Sequence, residues 1–326
     1  MADEKKKIVV IGGGTGTFAV LSGLKKYPVD LTAIVTMMDS GGSSGRLRDE
    51  FGQLPVGDVR QALVALSEDT SVMRQLFNYR YSKGDGLEGH SFGNLFLTAL
   101  SEVVGGVDKA LEETGKVLKI KGRVLPVTLS DGNLVAEYET GLIVRGEGNI
   151  DEPQHDGSLR IKKLWIEPDV APYNKTLQAI SEADLVVIGP GDLYTSLIPN
   201  LVVPKIADTI KNSAAKKIYI VNLMTKYGQT NNFRASDFVA EIEKYLGNCL
   251  DYIFLNNKPL PPDILQRYET EKENPVVDDL TESYFQVIRD DFLASDPIEK
   301  ASGDKLRRSL IRHDAEKLAK EIFELV

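Results

Sequence analysis

The chain has 326 residues, 42% of them apolar, a formal charge of −9 and no apolar run of membrane-spanning length. These features mark a globular α/β-sized chain and exclude membrane insertion as an expectation, while the acidic balance without a long basic stretch excludes a nucleic-acid partner. The opening Met-Ala-Asp-Glu-Lys-Lys-Lys lacks the apolar core of a signal peptide, and the single cysteine, Cys249, excludes an internal disulfide, so a reducing cytoplasm is expected.

Lys5 to Lys7 lead into Ile8-Val9-Val10-Ile11, which predicts a buried strand of a parallel sheet. Gly12-Gly13-Gly14-Thr15-Gly16 follows, and apolar residues return at helical spacing from Phe18 to Tyr27. Strand, glycine turn and helix in that order aim backbone N–H groups and a positive helix end at an anion. Glycine lets a phosphate approach the backbone and permits positive φ. Taken alone, the same pattern also describes an ordinary tight turn.

A second strand, Leu31 to Thr36, ends in Met37-Met38-Asp39-Ser40-Gly41-Gly42-Ser43-Ser44-Gly45-Arg46-Leu47-Arg48. This stretch is too polar for core. It reads as a surface loop or a second phosphate cradle, with arginine forks for bidentate contacts. Leu54 to Gln61 turns into a helix with Asp58 as its N-cap. A helix is predicted over 70–81. His90-Ser91-Phe92-Gly93-Asn94 then opens a further apolar helix, with Ser91 as candidate cap and Gly93 marking a close approach by backbone or ligand. His90 reads equally as a ligand contact or a surface histidine. Val107 to Leu118 is another helix.

From Gly122 the pattern changes. Val124–Val127, Leu134–Tyr138, Leu142–Val144 and Leu159–Ile166 are short strands separated by turns. With no helices between them they are expected to pair antiparallel, making 122–168 a β-rich excursion that includes the only tryptophan, Trp165. The α/β pattern resumes with helix Tyr173 to Ala183 and strand Leu185–Ile188, closed by Gly189-Pro190-Gly191-Asp192-Leu193-Tyr194-Thr195-Ser196. Helix Ile206–Ser213 leads to strand Ile218–Val221 and Asn222; helix Ala235–Leu246 leads to strand Tyr252–Leu255 and Asn256-Asn257. Pro261-Pro262-Asp263 begins a helix containing Tyr268, Glu269 to Asn274 reads as a solvated linker, and Phe285 to Ile288 as a last strand. Ala315 to Leu325 is a terminal amphipathic helix.

In an open parallel sheet the carboxyl ends of the strands share one edge. Loops at Gly12, Asp39, Gly189, Asn222 and Asn256 are therefore expected to line one crevice, fitted to a ligand with phosphate, ribose hydroxyls and a base or sugar. Asp39 lies 23 positions after Gly16, close to the ribose-binding acid of a dinucleotide fold. The first turn, however, ends in Thr17 where that fingerprint has its third glycine, and no His or Tyr/Lys pair offers a proton for hydride transfer.

Together, Gly12–Gly16, Asp39–Arg48, Pro55-Val56-Gly57-Asp58-Val59-Arg60, His90–Asn94, Gly189–Ser196 and Ile311-Arg312-His313-Asp314 closely resemble the YvcK family. These are bacterial proteins often labelled gluconeogenesis factors, within the wider CofD-like superfamily. The resemblance spans nearly the whole chain. It implies a Rossmann-like α/β fold, a mostly parallel sheet with helices on both faces, with 1–326 as a single domain and 122–168 inserted within it. It also implies binding of UDP-sugars such as UDP-N-acetylglucosamine, and a role in carbon metabolism and cell-wall or cell-shape maintenance on gluconeogenic substrates. By the same resemblance a tyrosine and an arginine of the C-terminal part matter for the ligand, and Tyr268 and Arg312 are the residues placed to serve.

The CofD branch also contains 2-phospho-L-lactate transferases, whose chemistry needs a cation or arginines on phosphates and a carboxylate near the attacking hydroxyl. Asp39 and Asp58 are the catalytic candidates for that alternative. The transferases carry adjacent acids after the second strand, where this chain has Met38-Asp39-Ser40 with only one. The expected ligand-binding set is Gly12, Gly13, Gly14, Thr15, Gly16, Asp39, Ser40, Gly41, Gly42, Ser43, Ser44, Arg46, Asp58, Arg60, Asn94, Gly189, Pro190, Gly191, Asp192, Thr195, Ser196, Asn222, Tyr268 and Arg312. No resident metal or required cofactor is expected; NAD or GDP could occupy the same crevice, and Mg²⁺ enters only with a transferase. Homo-oligomers and regulatory protein partners stay open.

Overall fold

The computed structural model describes residues 5–68, 72–281, 283–295 and 310–326. Its strands are β1 (Lys7–Gly12), β2 (Asp30–Val35), β3 (Arg123–Pro126), β4 (Asn133–Tyr138), β5 (Ile143–Arg145), β6 (Ile161–Glu167), β7 (Leu185–Ile188), β8 (Lys216–Ile220), β9 (Tyr252–Asn256) and β10 (Gln286–Asp290). Seven of them form one sheet in the order β10-β9-β8-β7-β1-β2-β3, and β5-β4-β6 form a second, three-stranded sheet. Every pairing in the larger sheet is parallel, and those in the smaller sheet are antiparallel.

Sequence alternation explains the layers. In β1, Val9 and Ile11 join Val186 and Ile188 of β7 on one face, under helices Asn174–Ser181, Ile206–Asn212 and Ala235–Leu246. Ile8 and Val10 join Val187, Ile218 and Ile220 on the other, under helices Gly14–Leu24, Gly57–Leu66 and Ala315–Glu324. Each such side chain contributes about 1.5–3 kcal/mol when fully buried, so strands with apolar residues on both sides belong inside a helix-covered sheet.

The chain winds outward from β1 through β2 to β3. It then returns to set β7 on the other flank of β1, with Ile8 opposite Leu185, and continues outward to β10. Winding reverses between β1 and β7, which is where the carboxyl ends of an open parallel sheet leave a crevice.

The structure corrects several expectations. The strand at Val124–Val127 belongs to the main sheet as β3, parallel to β2. The helix before it (Val107–Val117) acts as a crossover, and Val124 and Leu125 bury on opposite faces. The antiparallel part of 122–168 is therefore β4 to β6, a wing that also holds a short helix, Glu147–Asp151. Residues Gly42–Phe51 form a helix rather than a loop, with Ser43, Ser44, Gly45 and Leu47 buried. Burial here overrides the low helix propensity of serine and glycine. Asp58 lies inside the first turn of its helix, and the capping position is Val56. The helix predicted over 70–81 spans Val72–Asn78; its first positions, Thr70 and Ser71, lie outside the described residues.

Candidate functional site

The carboxyl ends of β1, β7 and β8 open into a cleft of about 850 Å³, within the size range of small-molecule sites. Gly13, Gly14, Thr15 and Gly16 form one wall, with Pro190, Gly191, Asp192, Thr195 and Ser196 beside them. Asp39, Asp58, Glu147 and Asp151 supply carboxylates, while Asn222 to Lys226, Gln266 to Tyr268 and Leu310 to His313 complete the lining. The turns after β1, β7 and β8 thus meet on one rim.

The turn after β1 packs tightly against its neighbours. Gly14 has φ +67°, and its N–H donates to Asp58 Oδ1 at 3.1 Å. A Cβ on Gly13 would stand 2.0 Å from Asp58 Oδ2, and one on Gly16 would stand 2.4 Å from the Pro190 carbonyl oxygen. These glycines let the turn pack against Asp58 and the β7 turn. Part of the positive helix end is already matched by a protein carboxylate. Gly12 and Gly189 stand behind the rim: a Cβ on Gly12 would meet Thr17 Oγ1 at 2.4 Å, and Gly189 adopts φ +79° to start its turn.

The β7 turn enters a single π-helical turn, Leu193–Leu197, in which Tyr194, Thr195 and Ser196 are buried. Asn222 Nδ2 donates to the Gly191 carbonyl at 2.9 Å and fastens the β8 turn to it. Thr195 Oγ1, Gln229 Nε2 and Lys226 Nζ all donate to Asp151 Oδ1, at 3.1, 2.9 and 2.5 Å, and Lys226 also pairs with Asp192 at 2.9 Å. The wing is therefore stitched to the cleft at one end of its helix. At the other end Ser40 N donates to Glu147 Oε2 at 3.2 Å, and Gly148 N donates to Ser40 Oγ at 2.9 Å.

The second turn supplies less than expected. Asp39 reaches the cleft, its carboxylate accepting from Gly41 N at 2.9 Å, but Ser40, Gly41, Gly42, Ser43, Ser44 and Arg46 are not among its lining residues. Arg46 is exposed and donates to the Glu88 carbonyl, and Arg48 pairs with Asp131 and donates to the Gly132 carbonyl. Arg60 is buried and does not line the cleft; it donates to Asn94 Oδ1 at 3.0 Å and to the Phe77 carbonyl at 3.1 Å. Asn94 Nδ2 in turn lies 3.3 Å from Ser44 Oγ, and Ser43 Oγ lies 3.0 Å from His90 Nδ1. This buried network joins three helices behind the site. Ser91 caps its helix as predicted, accepting from Asn94 N. The close approach that Gly93 marks is to Arg60 and the Phe77 backbone.

The C-terminal part also differs. Asn256 turns away from the cleft: its Oδ1 accepts from Phe292 N and its Nδ2 donates to the Lys258 carbonyl. The segment read as a solvated linker instead places Glu273, 7% exposed, on the cleft wall. Tyr268 is buried in an apolar cluster with Leu223, Met224 and Ile311. Its hydroxyl accepts from Leu310 N at 2.8 Å and Ile311 N at 3.2 Å, so it builds the wall on which Arg312 stands. Asp314 caps the terminal helix, accepting from Glu316 N and Lys317 N.

Electrostatically the cleft is divided. Burial, reinforced by repulsion from Asp39, pushes Asp58 up to about 7. Burial likewise raises Asp39, and holds Glu147, whose carboxylate also faces Asp39 and Asp151, well above the ordinary carboxylate range. For Lys226 burial works against the charge, but Asp192 and Asp151 outweigh it and hold the ammonium protonated. Among the described lining residues, Asp39, Asp58, Glu147, Asp151, Asp192, Glu271 and Glu273 face Lys226, Arg267 and Arg312. Glu147, Asp151, Lys226 and Glu273 are absent from the set that sequence reasoning assembles. Glu147 and Asp151 sit four apart, the one trace of a helical turn inside an apparent β excursion.

Comparison with known proteins agrees with this architecture. The family model described as 2-phospho-L-lactate transferase CofD matches residues 8–293. A Bacillus subtilis protein named gluconeogenesis factor is 41% identical over 99% of either chain. A Halalkalibacterium halodurans protein of the same name is 40% identical over 98% of this chain and 97% of its own. The crystal structure of a Bacillus halodurans member of the UPF0052 family superposes with a TM-score of 0.88 at 40% identity, covering 98% of this chain and 99% of that one. The chain therefore belongs to the CofD family and, within it, to the YvcK-like gluconeogenesis factors.

Proposed function

We propose that the cleft binds a nucleoside-diphosphate sugar of the UDP-N-acetylglucosamine kind, and that the chain is a cytoplasmic regulator of carbon metabolism and of cell-wall and cell-shape maintenance during gluconeogenic growth. The observation that carries the binding half is the composition of one cleft at the reversal of the sheet. The Gly13–Gly16 turn and Arg312 suit phosphate, carboxylates suit sugar hydroxyls, and Leu223, Met224 and Tyr268 offer an apolar wall for a base. The name shared by the relatives supports the physiological half. Among the described residues no helix is long and apolar enough to cross a membrane, which fits such a role.

A second reading, transfer of a phosphoryl-linked group from an activated donor, draws on the buried carboxylates Asp39 and Asp58. No group of three or more His, Cys, Asp or Glu among the described residues could hold a metal unaided. Mg²⁺ would take Asp39 and Asp58 together with phosphates of the donor, whose charge it would offset. The chain's own part would be to orient the acceptor hydroxyl at one carboxylate.

Thermal unfolding with UDP-N-acetylglucosamine, GDP and NAD, each with and without Mg²⁺, separates the readings. A ligand at 100 times its Kd stabilises by about 2.7 kcal/mol, and each kcal/mol moves a chain of this size by roughly 2–4 °C. The expected result is a rise of several degrees with the UDP-sugar alone, and an unaltered ligand after hours of incubation. Mg²⁺-dependent consumption of an activated donor would establish the transferase instead.

A further inference from the structure

The wall that carries Arg312 also presents His313, which lines the cleft and is 7% exposed. Its ring bonds the backbone of Val221, and Nε2 is the nitrogen left without a partner among the described residues. Nδ1 therefore carries the proton and donates to the Val221 carbonyl, which leaves Nε2 a bare acceptor. Burial holds the pKa of this imidazole down to about 4, so at neutral pH it accepts a hydrogen bond and does not give a second one. Its surroundings are apolar: Leu223, Met224, Tyr268, Leu293 and Ile311 pack together, and Leu293 bridges His313 in antiparallel fashion. Asn222 Oδ1, one residue beyond Val221, is a further buried acceptor without a partner among the described residues, while the amide nitrogen donates to Gly191.

Buried acceptors without donors are rare because each carries an uncompensated desolvation cost. His313 and Asn222 both line the same cleft as Leu223, Met224 and Tyr268, an apolar wall suited to a planar group that arrives with its own donor. We infer that His313 Nε2 accepts the imide N–H of a uracil base, placing the base against Leu223, Met224 and Tyr268 and the diphosphate toward the Gly13–Gly16 turn. Nε2 is covered from bulk water, so the base reaches it through a local shift of the 310–313 segment. Asn222 Oδ1 is left for a ribose or sugar hydroxyl. The assignment rests on the nucleotide-sugar reading above and adds the group that reads the base. Cytosine, whose N3 carries no hydrogen, offers His313 no donor at the N3 position.

The test is a double-mutant-type cycle by calorimetry, with UDP-N-acetylglucosamine and its N3-methyluridine counterpart on the full chain and on His313→Asn. Asparagine keeps a donor for the Val221 carbonyl but lacks the distal acceptor, and unchanged thermal unfolding without ligand shows that the fold is intact. A wild-type Kd weakened tenfold or more by N3-methylation, a similar loss in His313→Asn, and no further loss when both changes are combined support the inference. Recovery in His313→Gln, whose side chain carries an oxygen near the Nε2 position, supports it further. If His313→Asn binds the UDP-sugar like wild type, or if N3-methylation costs the variant as much as the wild type, the assignment is overturned. A wild-type chain that binds neither compound ends the nucleotide-sugar reading itself, and the assignment with it.

Discussion

After β1 the chain passes through Gly12–Gly16 into a helix whose first turn lines the cleft. After β2 it passes through Asp39–Gly45 into a helix that sends its arginines elsewhere. Both stretches are glycine-rich, both follow a buried parallel strand, and both begin helices. The first leaves a strand at the reversal of the sheet, where the turns of β1 and β7 pack together at the edge of the cleft. The second leaves β2, already one step outward, and the helices Gly57–Leu66 and Phe92–Val104 close over it. What separates the turn that lines the cleft from the one that sends it only Asp39 is therefore its place in the winding order, not its content of glycine, serine and arginine.

The sharpest way to break this contrast is Gly16→Val. Its Cβ would overlap the Pro190 carbonyl, which is backbone and cannot swing aside. The expected loss is about 1–3 kcal/mol of stability, as for other overpacked sites, seen as a lower urea midpoint and accompanied by loss of UDP-sugar binding. Wild-type binding in that variant would show that the turn can be distorted without harm to the cleft.

A smaller effect lies where the two turns touch, at Asp58. Its folded pKa, about 7, exceeds that of an unfolded aspartate, so the folded chain holds a proton that the unfolded chain releases near pH 4. Stability is then fully present below about pH 4 and is lost as pH rises toward 7. Asp58→Asn keeps an acceptor for Gly14 N–H without the charge, so it is expected to unfold above wild type at pH 8. That gap should narrow as pH falls toward 4. A gap that does not change with pH would mean that the Asp58 carboxylate is not penalised by its surroundings.

The smallest expected effect belongs to Arg46→Ala. The side chain is exposed and reaches only the Glu88 carbonyl, so stability should stay within about 0.5 kcal/mol and UDP-sugar affinity should not move. A tenfold weaker affinity would return the second turn to the ligand site.

Elements with a strong burial pattern were legible from the chain alone. Leu185–Ile188 and Ala235–Leu246 have the predicted ends, because continuous burial in the one and a strong apolar stripe in the other leave little choice. The convergence of the β1, β7 and β8 turns followed from the parallel sheet. What stayed hidden was decided by distant partners. Val124–Pro126 reads like its antiparallel neighbours and joins β2 only because a helix packs across. Ser43 and Ser44 look like loop residues until Asn94 and His90 lie against them. Arg60 follows a glycine and an aspartate as a phosphate-binding arginine would, yet its guanidinium is spent on Asn94 and Phe77. Lys226 and Asp151 stand 75 positions apart and carry no local mark of their pairing.

The short helix Glu147–Asp151 gives the wing a larger part than an appendage would have. It is fastened at its start to the turn after β2 and at its end to the turns after β7 and β8, so it spans the seam between the two halves of the sheet like a keystone. The interior of the cleft is thus partly made by a piece of chain that contributes nothing to the register of the parallel strands. Ile150 of the same helix is buried in the apolar cluster that holds Val9, Ile11, Val186 and Ile188, so the piece that shapes the chamber is also rooted in the interior of the larger sheet.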